Sequence, residues 1–186
     1  ICTRGPHIMQ GYWRNPEATS QVLDEDGWFR TGDIGRVDDE GYLYITDRKK
    51  DLIVTAYGKN LAPQQLESSL CEDRFIDQAC VYGDGKPFLT ALIVPSIDLQ
   101  GWAKEQGMAA DSLDELIVCP EVTALYRKRI DLALADFSPS EQVRKFLLLS
   151  CPFTFDQGEM TVTAKLRRRQ IVARHLADLE ALYQVH

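Results

Sequence analysis

The chain has 186 residues, with Lys+Arg 21 against Asp+Glu 28 and a formal net charge of −7. That length holds one full domain, or one domain and a piece of another, and the acidic balance argues against a general nucleic-acid binder, whose affinity rests on a net basic footprint. At 45% hydrophobic and 26% charged the composition is that of an ordinary globular protein. No apolar run approaches the ~20 residues needed to cross a bilayer, and no signal-peptide pattern opens the chain.

In chain order, residues 1–47 read as short aromatic and β-branched runs separated by turn signals: Gly5-Pro6, Asn15-Pro16, Asp26-Gly27 and Asp38-Asp39-Glu40-Gly41. Such punctuation predicts β-hairpins. Pro16 opens one short helix that carries Val22 and Leu23. Few core positions fall in this stretch, so it is expected to be the edge of a larger domain. From Asp47 the order becomes mixed. Leu52-Ile53-Val54 is a short strand, and Pro63 to Cys71 is a helix with Leu66 and Leu70 on one face. Ile76 to Tyr82 and Phe88 to Val94 form a hairpin around Gly83-Asp84-Gly85-Lys86-Pro87, with Ala79, Val81, Leu89, Ala91 and Ile93 suited to the core. Helices are expected over Leu99 to Glu105 and Glu121 to Phe137, the second carrying Val122, Leu125, Ile130, Leu132 and Leu134. A buried strand over Phe146 to Leu149 and a helix from Leu166 to Tyr183 complete the chain, with Ala109 to Asp114 as a surface insertion.

The five cysteines (Cys2, Cys71, Cys80, Cys119, Cys151) form no C-x-x-C pair, and the three histidines lie far from them in sequence. Reduced thiols, with no zinc site and no disulfide, are the expectation. Trp13 and Trp102 read as packing residues.

Several clusters carry possible chemistry. In Thr31-Gly32-Asp33 a carboxylate follows a Thr-Gly turn; its paired oxygens can accept two hydrogen bonds from a vicinal diol, or it can satisfy its own backbone in an Asx-turn. Arg48 can bridge sugar and phosphate oxygens, or be a solvated charge in its basic run. Lys50 in that run can be a surface charge on a rigid turn. Lys165, after Thr161-Val162-Thr163-Ala164, reads from periodicity as an exposed lysine near a helix start. Arg167-Arg168-Arg169 can attract a phosphate, although basic helix faces are more often simply solvated.

Taken together, these residues resemble the closing third of the adenylate-forming (AMP-binding) enzymes. Gly5 to Tyr12, Asn15 to Thr19 and Asp26 to Asp33 are similar to segments before and at the nucleotide site. Gly41 to Ile53 resembles the domain hinge, and Gly58 to Pro63 with Leu66-Glu67 the segment beyond it. Gly83 to Val94 and Glu159 to Lys165 resemble the long-chain fatty acid–CoA ligase branch, with Val162 where many relatives carry proline and Ala164 where most other branches carry glycine.

The resemblance implies an α+β fold: residues 1–47 as the β-hairpin-rich C-terminal edge of a large N-terminal domain, then 48–186 as a small mobile domain with a roughly three-stranded sheet and flanking helices. It implies Asp33 and Arg48 on the nucleotide, Lys50 as the hinge, Gly58 beside the pantetheine tunnel and Lys165 as the catalytic ammonium. The implied activity joins a fatty acid to AMP from ATP and then to coenzyme A. Mg2+ would accompany the ATP phosphates, its ligand outside this segment. The segment begins at Ile1 in mid-pattern with no phosphate-cradling glycine loop, so it is expected to be inactive alone and to need the N-terminal domain of the same protein. The expected location is cytoplasmic, with peripheral membrane contact left open. Two other readings stand beside it: a fatty acyl-AMP ligase that loads a carrier protein, and a non-catalytic interaction module.

Overall fold

The computed structural model describes residues 1–108 and 112–184. The chain divides into two compact units, Ile1–Leu52 and Ile53–His186. The expected surface insertion lies partly outside the described residues, since 109–111 are not among them, and from Leu113 the chain is helical.

The first unit consists of two-stranded ribbons and one helix. Strand β1 (Cys2–Thr3) pairs antiparallel with β2 (Phe29–Arg30), and β3 (Asp33–Val37) with β4 (Leu43–Arg48). Helix α1 (Pro16–Val22) starts at the proline, and the Asn15 side chain caps it by accepting the Ala18 N–H, as helix N-termini require. No hydrophobic side chain of this unit is buried, and Asp47 alone of its residues is enclosed. Tyr42, and Leu43, Tyr44 and Ile45 on β4, are all exposed. Trp13 does not pack as expected: it is 86% exposed, with the Arg14 guanidinium 5.5 Å from its ring centre. It lies in a unit that has no core to receive it.

A one-turn 3-10 helix (Lys49–Asp51) closes the first unit, and after Leu52 the second unit begins. A small ribbon of β5 (Ile53–Val54) and β6 (Asn60–Leu61) leads into helix α2 (Pro63–Cys71), then β7 (Ile76–Tyr82) and β8 (Leu89–Pro95). Helices α3 (Asp98–Glu105), α4 (Leu113–Ile117) and α5 (Pro120–Ala133) follow, then β9 (Val143–Leu148), α6 (Arg168–Arg174) and α7 (Leu176–Ala181). The sheet order is β7-β8-β9, with β7 antiparallel and β9 parallel to the central strand. A parallel neighbour needs a crossover, which α3 to α5 provide.

Every residue of β8 is buried, as a central strand covered on both faces requires. Side chains alternate along a strand, so Leu89, Ala91 and Ile93 join the cluster with α2, α3 and α5, while Leu92 and Val94 join Cys80, Phe153, Ile171 and Leu179. The first face is the one expected from the sequence. The second, under α6 and α7, is additional, and it pushes the Cys80 thiol up to about 12 by burial.

Two expected helices shift at their ends. Helix α5 ends at Ala133 rather than Phe137 and buries Val122, Tyr126 and Ile130. Tyr126 occupies the centre of that face, its hydroxyl donating to the Phe75 carbonyl at 2.7 Å, whereas Leu132 falls on the outer side and is 58% exposed. The last helix is two short ones. Leu166 bridges back to Met160, so helix begins only at Arg168, and His175 (φ −103, ψ 19) separates α6 from α7. His175 and Arg174 both turn toward the buried Glu159 carboxylate, at 3.9 and 3.4 Å.

Each fully buried Leu or Ile contributes roughly 1.5–3 kcal/mol, and all such residues lie in the second unit. Residues 53–186 produced alone are therefore expected to unfold cooperatively in urea, and residues 1–52 alone to give no transition by circular dichroism.

Candidate functional site

The candidate residues fall into three groups. In the first unit, Asp33 and Arg48 are register partners on β3 and β4, and the Arg48 Nε lies 3.3 Å from Asp33 Oδ1. The turn before Asp33 is tied on both sides. The Thr31 hydroxyl accepts the Asp33 N–H at 3.0 Å and donates to the Ile1 carbonyl at 3.0 Å. Gly32 takes φ +79, and its carbonyl accepts the Lys49 N–H at 2.8 Å. The Asp33 carboxylate therefore faces a guanidinium; its backbone amide is served by Thr31, which is not the self-satisfied Asx-turn left open by the sequence. An ion pair with side chains 58% and 24% exposed is worth ~0–1 kcal/mol, so both groups can reorient toward a ligand at little cost. Lys50 follows in the exposed 3-10 turn, two residues before the units divide.

The second group is the Lys165 hairpin. The Thr161 N–H donates to the Lys165 carbonyl at 2.8 Å, and the Thr161 hydroxyl accepts the Lys165 N–H at 3.0 Å. Between them Ala164 adopts φ 57, a left-handed conformation that favours glycine. Both feet of the hairpin are fastened. Upstream, Glu159 is 2% exposed; its carbonyl accepts the Arg167 N–H at 2.7 Å and its carboxylate the Thr154 N–H at 3.3 Å. Downstream, Arg168 grips the Glu67 carboxylate of α2 with both terminal nitrogens, Nη2 at 2.7 Å, and donates to the Val81 carbonyl at 2.9 Å. Lys165 itself is exposed, and among the described residues no carboxylate pairs with its ammonium. The turn is thus firmly footed and displays an exposed cation at the residue that closes it.

Arg168 is not part of a basic phosphate-attracting face, as the triple-arginine run allowed. Its side chain is 19% exposed and committed to Glu67, itself 10% exposed; Arg167 and Arg169 remain on the surface.

Gly58 forms the third group. Its φ of +75 accounts for the glycine, because its N–H closes a turn onto the Thr55 carbonyl at 2.9 Å. A Cβ there would meet nothing within 4 Å, so no protein atom crowds it.

Sequence reasoning missed Glu67, Glu159 and Asp47, the buried carboxylates. Glu67 had a readable signal: with Leu66 and Leu70 it shares the buried face of α2, and a carboxylate on such a face must have a partner.

The comparisons with known proteins agree with one another. The family model for the AMP-binding enzyme C-terminal domain matches residues 50–186, and the chain belongs to that family. It is 42% identical over 185 residues to the long-chain-fatty-acid–CoA ligase FadD15 of Mycobacterium tuberculosis, covering 98% of this chain and 31% of that protein. It is 34% identical to the peroxisomal long chain acyl-CoA synthetase 7 of Arabidopsis thaliana, covering 98% and 27%. The chain thus spans about a third of the length of such relatives. Among solved structures it resembles the adenylation domain of a carboxylate reductase from Mycobacterium chelonae, with a TM-score of 0.76 at 27% identity, over 95% of this chain and 26% of that one. The adenylation domain of the Segniliparus rugosus carboxylic acid reductase, in complex with AMP and a co-purified carboxylic acid, matches with the same figures.

Removing one partner of a buried, hydrogen-bonded ion pair costs ~3–5 kcal/mol. Arg168→Ala is expected to destabilise residues 53–186 by about that amount in urea titrations. Ala164→Gly is expected to stabilise the same unit by about 0.5–1 kcal/mol, because it relieves a left-handed alanine; a lower melting temperature would contradict this.

Proposed function

We propose that this chain is the C-terminal part of a long-chain fatty acid–CoA ligase that forms acyl-AMP from ATP and a fatty acid and then transfers the acyl group to coenzyme A. In this reading residues 1–47 complete the large nucleotide-binding domain and 48–186 are the mobile domain, which turns about Lys50. One observation carries the reading most: an exposed lysine whose ammonium has no carboxylate partner among the described residues closes a doubly anchored hairpin turn, in a chain 42% identical to a long-chain-fatty-acid–CoA ligase.

In the first half-reaction a carboxylate oxygen attacks the α-phosphate and pyrophosphate leaves. Two anions approach each other, and charge builds on the bridging oxygens. Lys165, delivered by the closing domain, neutralises that charge only in the assembled geometry, which stabilises the transition state rather than the ground state. Asp33 accepts hydrogen bonds from the ribose hydroxyls, while Arg48, released from its weak pairing with Asp33, reaches ribose and phosphate. In the second half-reaction the domain turns about Lys50, Lys165 withdraws, and the Gly58 turn lines the path of the coenzyme A thiol. The thiolate attacks the acyl carbonyl, the thioester forms and AMP departs. Hinges of this kind absorb large φ/ψ changes at few positions.

Among the described residues no group of three or more His, Cys, Asp or Glu side chains could hold a metal ion; the ligands for Mg2+, which would travel with the ATP phosphates, belong in this reading to the rest of the protein. A cytoplasmic location, with peripheral membrane contact left open, goes with the same reading, and among the described residues no helix is long and apolar enough to cross a membrane. A carrier-protein acceptor is the second reading. It is favoured by the 34% identity to an Arabidopsis thaliana chloroplastic long-chain-fatty-acid–[acyl-carrier-protein] ligase, equal to that for the acyl-CoA synthetase.

The test uses the full-length protein with ATP, palmitate and either coenzyme A or holo-acyl carrier protein. Lys165→Ala is expected to slow pyrophosphate release by about 10²–10³-fold while sparing thiol attack on supplied palmitoyl-AMP. Unchanged pyrophosphate release would remove the role of Lys165. Asp33→Ala is expected to raise the KM for ATP, measured in the same assay.

A further inference from the structure

The Gly58 turn has little apolar anchorage of its own. Ala56, Gly58 and Lys59 are exposed and Tyr57 is 78% exposed. What positions it is hydrogen bonding to the turn between β7 and β8. The Val54 N–H donates to Asp84 Oδ1 at 3.0 Å, the Gly85 N–H to the Val54 carbonyl at 2.8 Å, and the Ala56 N–H to the Lys86 carbonyl at 2.9 Å. A further link runs from Lys59 Nζ to Ser140 Oγ at 3.1 Å.

The β7–β8 turn is itself held from the other side by the last helix. Lys86 Nζ lies 2.6 Å from Glu180 Oε2 and 5.1 Å from the centre of the Tyr183 ring. The Tyr82 hydroxyl donates to Glu180 Oε1 at 3.1 Å, and the Tyr183 hydroxyl to the Phe88 carbonyl at 3.0 Å. The hydrogen bond from Lys86 draws the Glu180 carboxyl below its ordinary value. A continuous brace therefore runs from α7 through Lys86 to Ala56 and the Gly58 turn. The Lys165 hairpin is fastened elsewhere, by Glu159 and by Arg168 on Glu67.

We propose that Lys86 and Glu180 are positioning residues for the thiol-dependent half-reaction: they fix the Gly58 turn through the β7–β8 turn and leave acyl-adenylate formation alone. This rests on the reading of Gly58 as lining the path of the thiol. A turn without a core of its own follows its supports, and displacement of a positioning element by about an ångström costs up to ~10²-fold in rate.

The experiment compares Lys86→Met, Glu180→Ala and Lys86→Arg in the full-length protein. Palmitoyl transfer from supplied palmitoyl-AMP to coenzyme A is expected to slow about tenfold in the first two variants, with a raised KM for coenzyme A, and to recover in Lys86→Arg. Palmitate-dependent pyrophosphate release should stay within about twofold of wild type. In parallel, amide hydrogen exchange at Ala56, Gly58 and Lys59 should quicken in Glu180→Ala while that at Ala164 and Lys165 holds steady. Equal loss in both half-reactions, undiminished acyl transfer, or unaltered exchange at Ala56 to Lys59 would overturn the brace. A wild-type protein that cannot acylate coenzyme A would instead defeat the ligase reading, and the exchange measurement would still decide the brace.

Discussion

The second unit depends most on the two-pronged grip of Arg168 on Glu67. The carboxylate also accepts the Val81 N–H at 2.7 Å, and the guanidinium also serves the Val81 carbonyl, so one ion pair joins α2, the end of β7 and the start of α6. A carboxylate taken out of water is costly unless paired and fully hydrogen-bonded. Glu67 meets that condition only when Arg168 is in place, and Arg168 can be in place only when the chain three residues earlier has turned back at Lys165. Burial of one charge thereby dictates where another, exposed charge is displayed.

That coupling explains the contrast between the anchored feet of the hairpin and the exposed lysine that closes its turn. In the role proposed for Lys165, a cation that approaches an anionic transition state gains most when its support is preorganised and its head is unencumbered. Glu159 and Arg168 supply the support, while the Thr161 hydroxyl shapes the turn without touching the ammonium. The Asp33–Arg48 pair follows a different logic, being exposed and weak. Neither residue is committed deeply enough to resist a ligand.

Much of this was legible in the sequence. Pro63 to Cys71 and Ile76 to Tyr82 match their observed bounds, because a proline at a helix start and a Gly-Asp-Gly turn are local signals. The long-chain ligase resemblance agrees with the relatives found. Less legible was what depends on distant partners. The second face of β8 is invisible without α6 and α7, since a strand buried on both sides shows no alternation. Arg168 looked like its neighbours because three consecutive arginines carry no mark of which one faces inward. The split at His175 falls beside a buried glutamate sixteen residues earlier, a neighbour at a range that helical periodicity does not sense.

The parallel pairing of β8 with β9 has a consequence for how the chain is made. The central strand is complete well before its partner across the α3 to α5 crossover is synthesised, so until then one long apolar edge has free backbone donors and acceptors on the side that β9 will occupy. Such an edge is a template for wrong pairing, and non-local closure of this kind is slow compared with helix formation. The crossover helices, made before β9, cover one face of the nascent sheet, so the interval of exposure is confined to the edge that β9 closes.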